Sequence, residues 1–266
     1  MSNKTNYCTE YLEDTKGSTD EDKPLVMDNI NHVQRAVKFR LPDNGIILDI
    51  IEGSNLSGEA IQAVMPAYVD NIVLPYDEVA LEFIMKGTAE DVGRDTIMII
   101  LASNRAEGGV HFDLILRTRH MGVSRWVDVR ARGVIFTDFS VMANLLLGDD
   151  DEITVEESSV LIHGAYILLS FIAALQCANV AQYDDISDLK LNNSRLKKGK
   201  EALFDYKELI IDISDDNINK LSGVNNNTLD AKGKKLRRGC ISKSEHENVW
   251  INEATTSKKP KNYNSF

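Results

Sequence analysis

The chain has 266 residues, of which 43% are hydrophobic and 27% charged, and both fractions are typical of a folded globular protein. Its three cysteines, Cys8, Cys177 and Cys240, are far apart and form no C-x-x-C pair, which excludes a disulfide framework and a cysteine zinc site of the usual spacing. No early apolar run follows a basic start, so no secretory signal is expected and a cytoplasmic location is predicted.

Charge is unevenly distributed along the chain. Residues 190–266 carry 16 Lys and Arg against 10 Asp and Glu, a balance of +6, which leaves −17 for residues 1–189. This asymmetry is typical of a basic nucleic-acid surface joined to an acidic body. Two halves that attract each other, or charged faces that are only solvated, would give the same pattern.

In chain order, the first predicted elements are short. Residues 1–24 are polar and acidic, and a disordered tail is expected because they have too few large apolar groups to offset the entropy lost on ordering. A helix is predicted over residues 28–39 and a strand over residues 46–51. A second helix is predicted over residues 57–64, beginning at Ser or Gly and ending before a proline.

The most strand-like part of the chain lies between residues 78 and 139. Polar residues alternate in its later segments, which indicates antiparallel strands with one wet face. The glycines between the segments, including Gly133, are interpreted as turns. The predicted strands are residues 79–85, 96–101, 111–117, 126–130 and 134–137.

The longest apolar run, Val160–Ala178, has 19 residues without a charge, which is long enough to cross a membrane. Its flanks are acidic, no Lys or Arg marks a cytoplasmic end, and Tyr166 is central rather than interfacial. These features favour a buried core helix, expected over residues 158–178 and capped by Ser158 or Ser159. No membrane partner is therefore expected.

Three more strands are predicted after this helix, over residues 179–183, 206–213 and 248–251. The segment between the first two, residues 190–200, is predicted to be a basic loop or helix turn. Residues 215–230 are predicted to be a polar linker.

The fold class that follows is α+β, with a mostly antiparallel, curved sheet packed on the central buried helix at about 158–178. One globular domain is expected over residues 25–255, with a sub-boundary at the 214–231 linker. Residues 256–266 are expected to form a flexible tail.

The densest cluster of reactive side-chain types is His111, Asp113, Arg117, Arg119 and His120. On a strand, all of these except His120 would share one face. Such a face could be catalytic or bind an anion. The solvent face of an antiparallel sheet has the same alternation and is the simpler interpretation.

No phosphate loop, dinucleotide-binding glycine motif, paired-histidine zinc helix or nucleophile elbow is present. The acidic clusters at 149–152 and 184–188 lack calcium-loop spacing and are interpreted as helix caps. The sequence therefore predicts no metal and no cofactor.

Two basic islands, residues 192–200 and residues 232–239, mix cations with amides and glycine. Cations supply charge for phosphate backbones, and Gly199 and Gly239 permit tight turns beside them. Sparse aromatic residues give little support for base stacking. The candidate nucleic-acid-binding residues are Arg195, Lys197, Lys198 and Lys200 in the first basic island and Lys234, Lys235, Arg237 and Arg238 in the second.

The C-terminal half resembles a pattern in uncharacterised bacteriophage and prophage proteins. In that pattern an apolar helix ends near Asn-Val, as at Asn179-Val180. A segment with Asn, Arg and Gly-Lys follows, as over residues 192–200. The pattern closes with Arg-Arg-Gly-His and a Trp on a short strand.

Here the closing motif is Arg-Arg-Gly-Cys at residues 237–240, followed by Trp250, whose ring is expected to be buried and to steady the second basic island. Because Cys240 replaces histidine, an imidazole pair at this position is not expected. The resemblance covers about residues 160–255 and implies a phage context and the host cytoplasm.

The function that follows is a phage-type accessory protein, interpreted as non-enzymatic, that binds nucleic acid or a nucleoprotein through its basic C-terminal part. Two alternatives stay open. The acidic body could bind a host protein as an inhibitor or decoy, or the His111–His120 face could be an enzyme site. The oligomeric state does not follow from the sequence.

Overall fold

The computed structural model describes residues 6–15, 23–48, 50–51, 55–86, 95–120, 123–129, 131–145, 154–211, 234–235, 240–243 and 248–251. The helices in these residues are α1 (Tyr7–Thr15), α2 (Lys23–Arg35), α3 (Gly58–Val64), α4 (Val155–Leu175) and α5 (Leu189–Lys197). The strands are β1 (Val37–Arg40), β2 (Glu78–Met85), β3 (Thr96–Asn104), β4 (Val110–His120), β5 (Val123–Asp128), β6 (Ala131–Ile135), β7 (Val141–Leu145), β8 (Val180–Asp185), β9 (Tyr206–Ile211), β10 (Lys234–Lys235), β11 (Cys240–Lys243) and β12 (Asn248–Ile251).

Ten of these strands form one mixed sheet in the order β10-β9-β1-β2-β3-β4-β6-β7, with β5 paired to β4 and β8 to β9. β1 is parallel to both β2 and β9, and the other pairings are antiparallel. The α+β class is confirmed, and the predicted mostly antiparallel sheet is corrected to a mixed one. The long connection between β1 and β2, which contains α3, allows the parallel return.

Apolar side chains alternate between the two faces of the sheet. Along β2, Val79, Leu81 and Phe83 join the large cluster that includes α4, whereas Ala80 joins a smaller cluster that includes α1 and α2. A strand sends successive side chains to opposite faces. Both faces of the central strands are therefore covered by helical residues, which explains why β3 is apolar at every position from Ile97 to Ala102.

Helix α4 begins earlier than predicted. Thr154, rather than Ser158 or Ser159, caps it: its hydroxyl accepts from the Glu157 N–H at 3.1 Å while the Glu157 carboxylate accepts from the Thr154 N–H at 3.0 Å. This capping box fixes the start at Val155, and the helix ends at Leu175. The window Glu157–Leu175 is long and apolar enough to span a membrane, and 67% of it is buried, as in the core helix of a soluble protein.

In the predicted strand over residues 46–51, the described residues 46–48 and 50–51 contain only a single bridge, at Leu48. The hydroxyl of Tyr166 on α4 donates to the Leu48 carbonyl at 2.8 Å and accepts from the N–H groups of Ile50 and Ile51 at 3.2 and 3.3 Å. The Tyr166 hydroxyl thus forms the hydrogen bonds that these three backbone groups would otherwise make to a neighbouring strand.

The N-terminal predictions need two corrections. Residues 6–15, predicted as part of a disordered tail, contain α1, whose Tyr7, Cys8, Tyr11 and Leu12 are buried at helical spacing. Helix α2 ends at Arg35 rather than at residue 39, because the chain then enters the sheet as β1.

Other predicted elements are confirmed with shifted ends. Ser57 caps α3 by accepting from the Ala60 N–H at 3.1 Å. Strands β2 to β6, β8, β9 and β12 correspond to predicted strands, and the basic segment 190–200 contains α5. Strand β7 was not predicted, and Gly133, interpreted as a turn, lies inside β6 opposite Phe112. The linker at 215–230 and the tail 256–266 lie outside the described residues.

Candidate functional site

A polar cleft of about 260 Å³ lies between α2 and one end of the sheet. We call it the histidine cleft, because two histidines from different elements line it. Its lining residues are Asp28, Asn29, Asn31, His32, Arg35, Glu78, Ser103, His111, Asp113 and Arg132.

The strand register determines which side chains of the sheet line the histidine cleft. Glu78 on β2 pairs with Ser103 on β3, which pairs with His111 on β4. Directly paired residues lie on the same face, so the three side chains form one polar row across the sheet. Asp113 lies two residues beyond His111 on that face.

Helix α2 lines the other side of the histidine cleft, and helical periodicity determines which of its side chains do so. Asp28, His32 and Arg35 are spaced i, i+4 and i+7 on α2, so they share one face. Val33, on the neighbouring face of α2, is fully buried in the smaller apolar cluster. Burial of that apolar face turns the polar stripe towards the row on the sheet.

Two bidentate ion pairs frame the histidine cleft. Arg132 on β6 donates to both Asp113 oxygens at 2.9 and 2.8 Å, and Asp113 is only 3% exposed. Arg35 donates to Glu78 from Nε at 2.9 Å and from Nη2 at 2.8 Å. The hydrogen bonds that Arg132 donates to Asp113 raise the pKa of Arg132, and they outweigh burial, which lowers it. Both guanidinium groups therefore have carboxylate partners.

The imidazoles are the unsatisfied groups of the histidine cleft. His32 Nε2 and His111 Nδ1 are buried and have no hydrogen-bond partner among the described residues. Burial lowers the pKa of His32, and burial together with the charges of Arg105 and Arg132 lowers the pKa of His111. Both imidazoles are therefore neutral at pH 7.

The tautomer of His32 follows from its contacts. A hydrogen bond between this imidazole and the backbone of Ala102 raises the pKa of His32. A hydrogen-bond acceptor such as a carbonyl has this effect, because it stabilises the protonated ring. Because Nε2 has no partner among the described residues, we infer that the ring donates to this backbone from Nδ1. A neutral imidazole that donates from Nδ1 leaves Nε2 as a lone-pair acceptor.

The predicted His111 cluster is divided by the structure. His111 and Asp113 line the histidine cleft, whereas Arg117 forms an ion pair with Glu10 of α1. Asp113 is buried, whereas His111 and Arg117 are half-buried beside α2 and α1. The side chains of Arg119 and His120 lie outside the described part of the structure. The spacing of Asp28, His32 and Arg35 was the signal that could have added α2.

The first basic island lies on α5 and the turn that follows it. Lys197, Lys198 and Lys200 are exposed. Arg195 is instead half-buried, and it donates to Glu13 of α1 at 2.7 Å and to the Glu201 carbonyl at 2.8 Å. Arg195 is thus bound to other parts of the chain, whereas the three lysines are exposed.

The second basic island is only partly described. Lys234 and Lys235 form β10, opposite Ile211 and Ile210 of β9. Arg237, Arg238 and Gly239 lie outside the described residues, as does the side chain of Trp250, whose backbone pairs with Ile241.

The described parts of the two islands are at opposite ends of β9. Helix α5 follows Asp185, which pairs with Tyr206 at the start of β9, whereas β10 pairs at its end. Five residues of strand separate those ends by roughly 17 Å. The strand positions that lead into α5 and into β10 are therefore at different ends of β9.

Comparisons with known proteins complete the description of the site. No family model matches the chain, and neither curated proteins nor solved structures give a significant match. Among the residues that the structure describes, no group of three or more His, Cys, Asp or Glu side chains is placed to hold a metal ion.

Proposed function

We propose that the histidine cleft binds a small polar molecule rich in hydrogen-bond donors, and that its two neutral imidazoles accept hydrogen bonds from that molecule. The observation that carries the proposal is the pair of buried, unpartnered nitrogens, His32 Nε2 and His111 Nδ1. An unsatisfied buried polar group costs about 1–3 kcal/mol, and a ligand donor would recover that energy.

Charge and volume limit the ligand. Beside the neutral imidazoles the lining has two guanidinium groups and three carboxylates, which favours a neutral or cationic ligand over an anion. The volume of about 260 Å³ is near the lower end for small-molecule sites. An amine, a polyol or a sugar fits both limits.

Acid–base catalysis on the bound molecule is the chemistry that this arrangement supports. A neutral imidazole within hydrogen-bond reach of a donor can accept its proton, and the buried Asp113–Arg132 pair holds a fixed field beside His111. This proposal favours the enzymatic alternative among the three sequence hypotheses.

Thermal denaturation with a defined panel tests the proposal. Ethanolamine, glucose and adenosine supply donors, and acetate and inorganic phosphate are the anionic comparison. At a concentration of about 100 times its Kd, a ligand adds about 2.7 kcal/mol, which raises the Tm by roughly 5–10 °C. We expect a donor-rich compound to do so in the wild type and in His163→Gln, whose imidazole lies outside the histidine cleft.

The double variant His32→Gln/His111→Gln should lose that stabilisation while remaining folded by circular dichroism. An unchanged response in this variant, stronger stabilisation by acetate or phosphate, or no response to any donor would overturn the proposal.

Several wider proposals rest on the sequence. We propose a phage context and a location in the host cytoplasm from the resemblance of the C-terminal half to bacteriophage and prophage proteins. The balance of −17 over residues 1–189 supports a host-protein partner as a further proposal. We also propose that the sheet curves around α4, because α4 and one face of the sheet share an apolar cluster.

A further inference from the structure

Helix α5 has two chemically different faces, and this division is independent of the histidine cleft. Asn192 and Arg195 are half-buried and face the rest of the protein. Lys190, Asn193 and Lys197, at positions i, i+3 and i+7, are exposed on the opposite side, as is Ser194 at i+4. Cations, an amide and a hydroxyl thus share the outer face.

The inner face fixes the helix in place. The Asn192 amide donates to the Leu203 carbonyl at 3.1 Å and accepts from the Leu203 N–H at 2.7 Å. Arg195 binds Glu13 and the Glu201 carbonyl, as described above. Asp188 caps the start through the Lys190 N–H at 2.7 Å. These anchors hold α5 while its outer lysines remain available.

The turn after α5 adds two more cations to the same region. The Gly199 N–H donates to the Leu196 carbonyl and the Lys200 N–H to the Arg195 carbonyl, both at 3.0 Å, which is a Schellman ending. Gly199 has φ +71°, which only glycine adopts without strain. The turn therefore places Lys198 and Lys200 at the end of the helix, beside Lys197.

We propose that Lys190, Lys197, Lys198 and Lys200 form a binding surface for the phosphate backbone of a nucleic acid, and that Arg195 and the second basic island are not part of it. Lys190 and Lys197 are about 10.5 Å apart along the helix axis. Successive phosphates of one DNA strand rise about 3.4 Å each, so the two lysines span about three nucleotides.

The outer face favours a nucleic acid over an anionic membrane. A membrane-surface helix needs an apolar face to insert. Leu189, Leu191 and Leu196 are 75%, 48% and 57% exposed, but they lie on both sides of the outer face rather than among its lysines, so they form no continuous apolar face. Amide and hydroxyl groups beside lysines match the phosphate and sugar contacts that position a protein on a nucleic acid.

Fluorescence anisotropy with a labelled single-stranded oligonucleotide and with its duplex tests the proposal. Each phosphate neutralised contributes about −0.7 to the logarithmic salt slope of a single strand, so four lysines would weaken binding about 50-fold between about 50 and 200 mM salt. We expect the full-length variant Lys190→Gln/Lys197→Gln/Lys198→Gln/Lys200→Gln to lose most of this slope.

The matched control removes the same charge from the second basic island: Lys234→Gln/Lys235→Gln/Arg237→Gln/Arg238→Gln. It should bind as the wild type does, as should the histidine-cleft double variant, which separates this surface from the proposed ligand site. Loss of binding in the control but not in the α5 variant would overturn the inference. So would absence of binding at low salt, or binding only to phosphatidylserine vesicles.

Discussion

Glu82 on β2 is a buried carboxylate whose ionisation should control stability. It is 1% exposed, and its Oε2 accepts from the N–H groups of Tyr7 and Cys8 at 3.0 and 3.2 Å and from the Tyr206 hydroxyl. Arg40 Nε lies 3.6 Å from the other oxygen. These contacts connect the start of α1 to the sheet. They also favour the charged form, whereas burial opposes it.

Burial is the larger effect and raises the pKa of Glu82 from 4.5 to about 7. Because the folded-state pKa is above the unfolded one, the folded state binds the proton more tightly. The resulting stabilisation is fully present below about pH 4.5 and is lost as the pH rises through 7. A difference of 2.5 pKa units corresponds to about 3 kcal/mol of unfolding free energy.

Urea denaturation between pH 4.5 and 8.5, followed by circular dichroism, measures this effect through the variant Glu82→Gln. The neutral amide removes the titration, so the stability of the variant relative to the wild type should rise by about 3 kcal/mol across that range.

Glu59→Gln is the control, because the hydrogen bonds of Glu59 at the start of α3 lower its pKa. The stabilisation from Glu59 is present above its unfolded pKa of 4.5 and is lost only as the pH falls below that value. Between pH 4.5 and 8.5 this variant should therefore differ from the wild type by a nearly constant free energy. A stability difference for Glu82→Gln that is flat with pH, or that falls as the pH rises, would refute the reasoning.

Three further substitutions test packing and capping, each by urea denaturation. Gly133→Ala would place a Cβ 2.0 Å from the Phe112 ring, so we expect a loss of at least about 1–3 kcal/mol, and a wild-type midpoint would contradict this packing. Tyr166→Phe leaves the Leu48 carbonyl and two N–H groups without their partner, and should cost about 1–3 kcal/mol. Thr154→Ala removes the cap of α4 and should lower the free energy of unfolding by about 1 kcal/mol, whereas Ser158→Ala should have little effect. A larger loss of stability in Ser158→Ala than in Thr154→Ala would instead support Ser158 as the cap, as the sequence predicted.

Elements with local signals could be predicted from the sequence. The cap at Ser57 is followed by a short helical pattern, and α3 forms there. Alternation and β-branched residues between positions 78 and 139 correctly indicated strands β2 to β6. The pattern of a single segment was enough in these cases, because neighbouring residues determine a cap or a strand face.

Elements that depend on distant residues were missed. Helix α1 is stabilised by burial against the sheet and by Glu82, which is 75 positions from Tyr7. Residues 46–51 have strand composition, but Tyr166, more than one hundred positions away, satisfies their backbone. Composition alone cannot show either partner.

Only the part of the histidine cleft that lies on one strand could be predicted, because the other lining residues are distant in the sequence. His111 and Asp113 were recognised as a reactive pair because they alternate on one strand. His32 comes from α2 and Arg132 from β6, and only the assembled sheet brings all four side chains to one cavity. The prediction for the first basic island grouped Arg195 with the lysines, because Glu13, which binds it, is 182 positions away.

The protonation states of His32 and His111 test the central claim most directly. Nitrogen-15 NMR of the labelled protein, titrated with pH and assigned with the single variants His32→Gln and His111→Gln, reports the charge and tautomer of each ring. We expect both rings to titrate below 6.5, His32 to have its proton on Nδ1 at pH 7, and both signals to shift when a donor-rich ligand binds. Imidazolium at either position at pH 7, or a proton on Nε2 of His32, would contradict the account of this cleft.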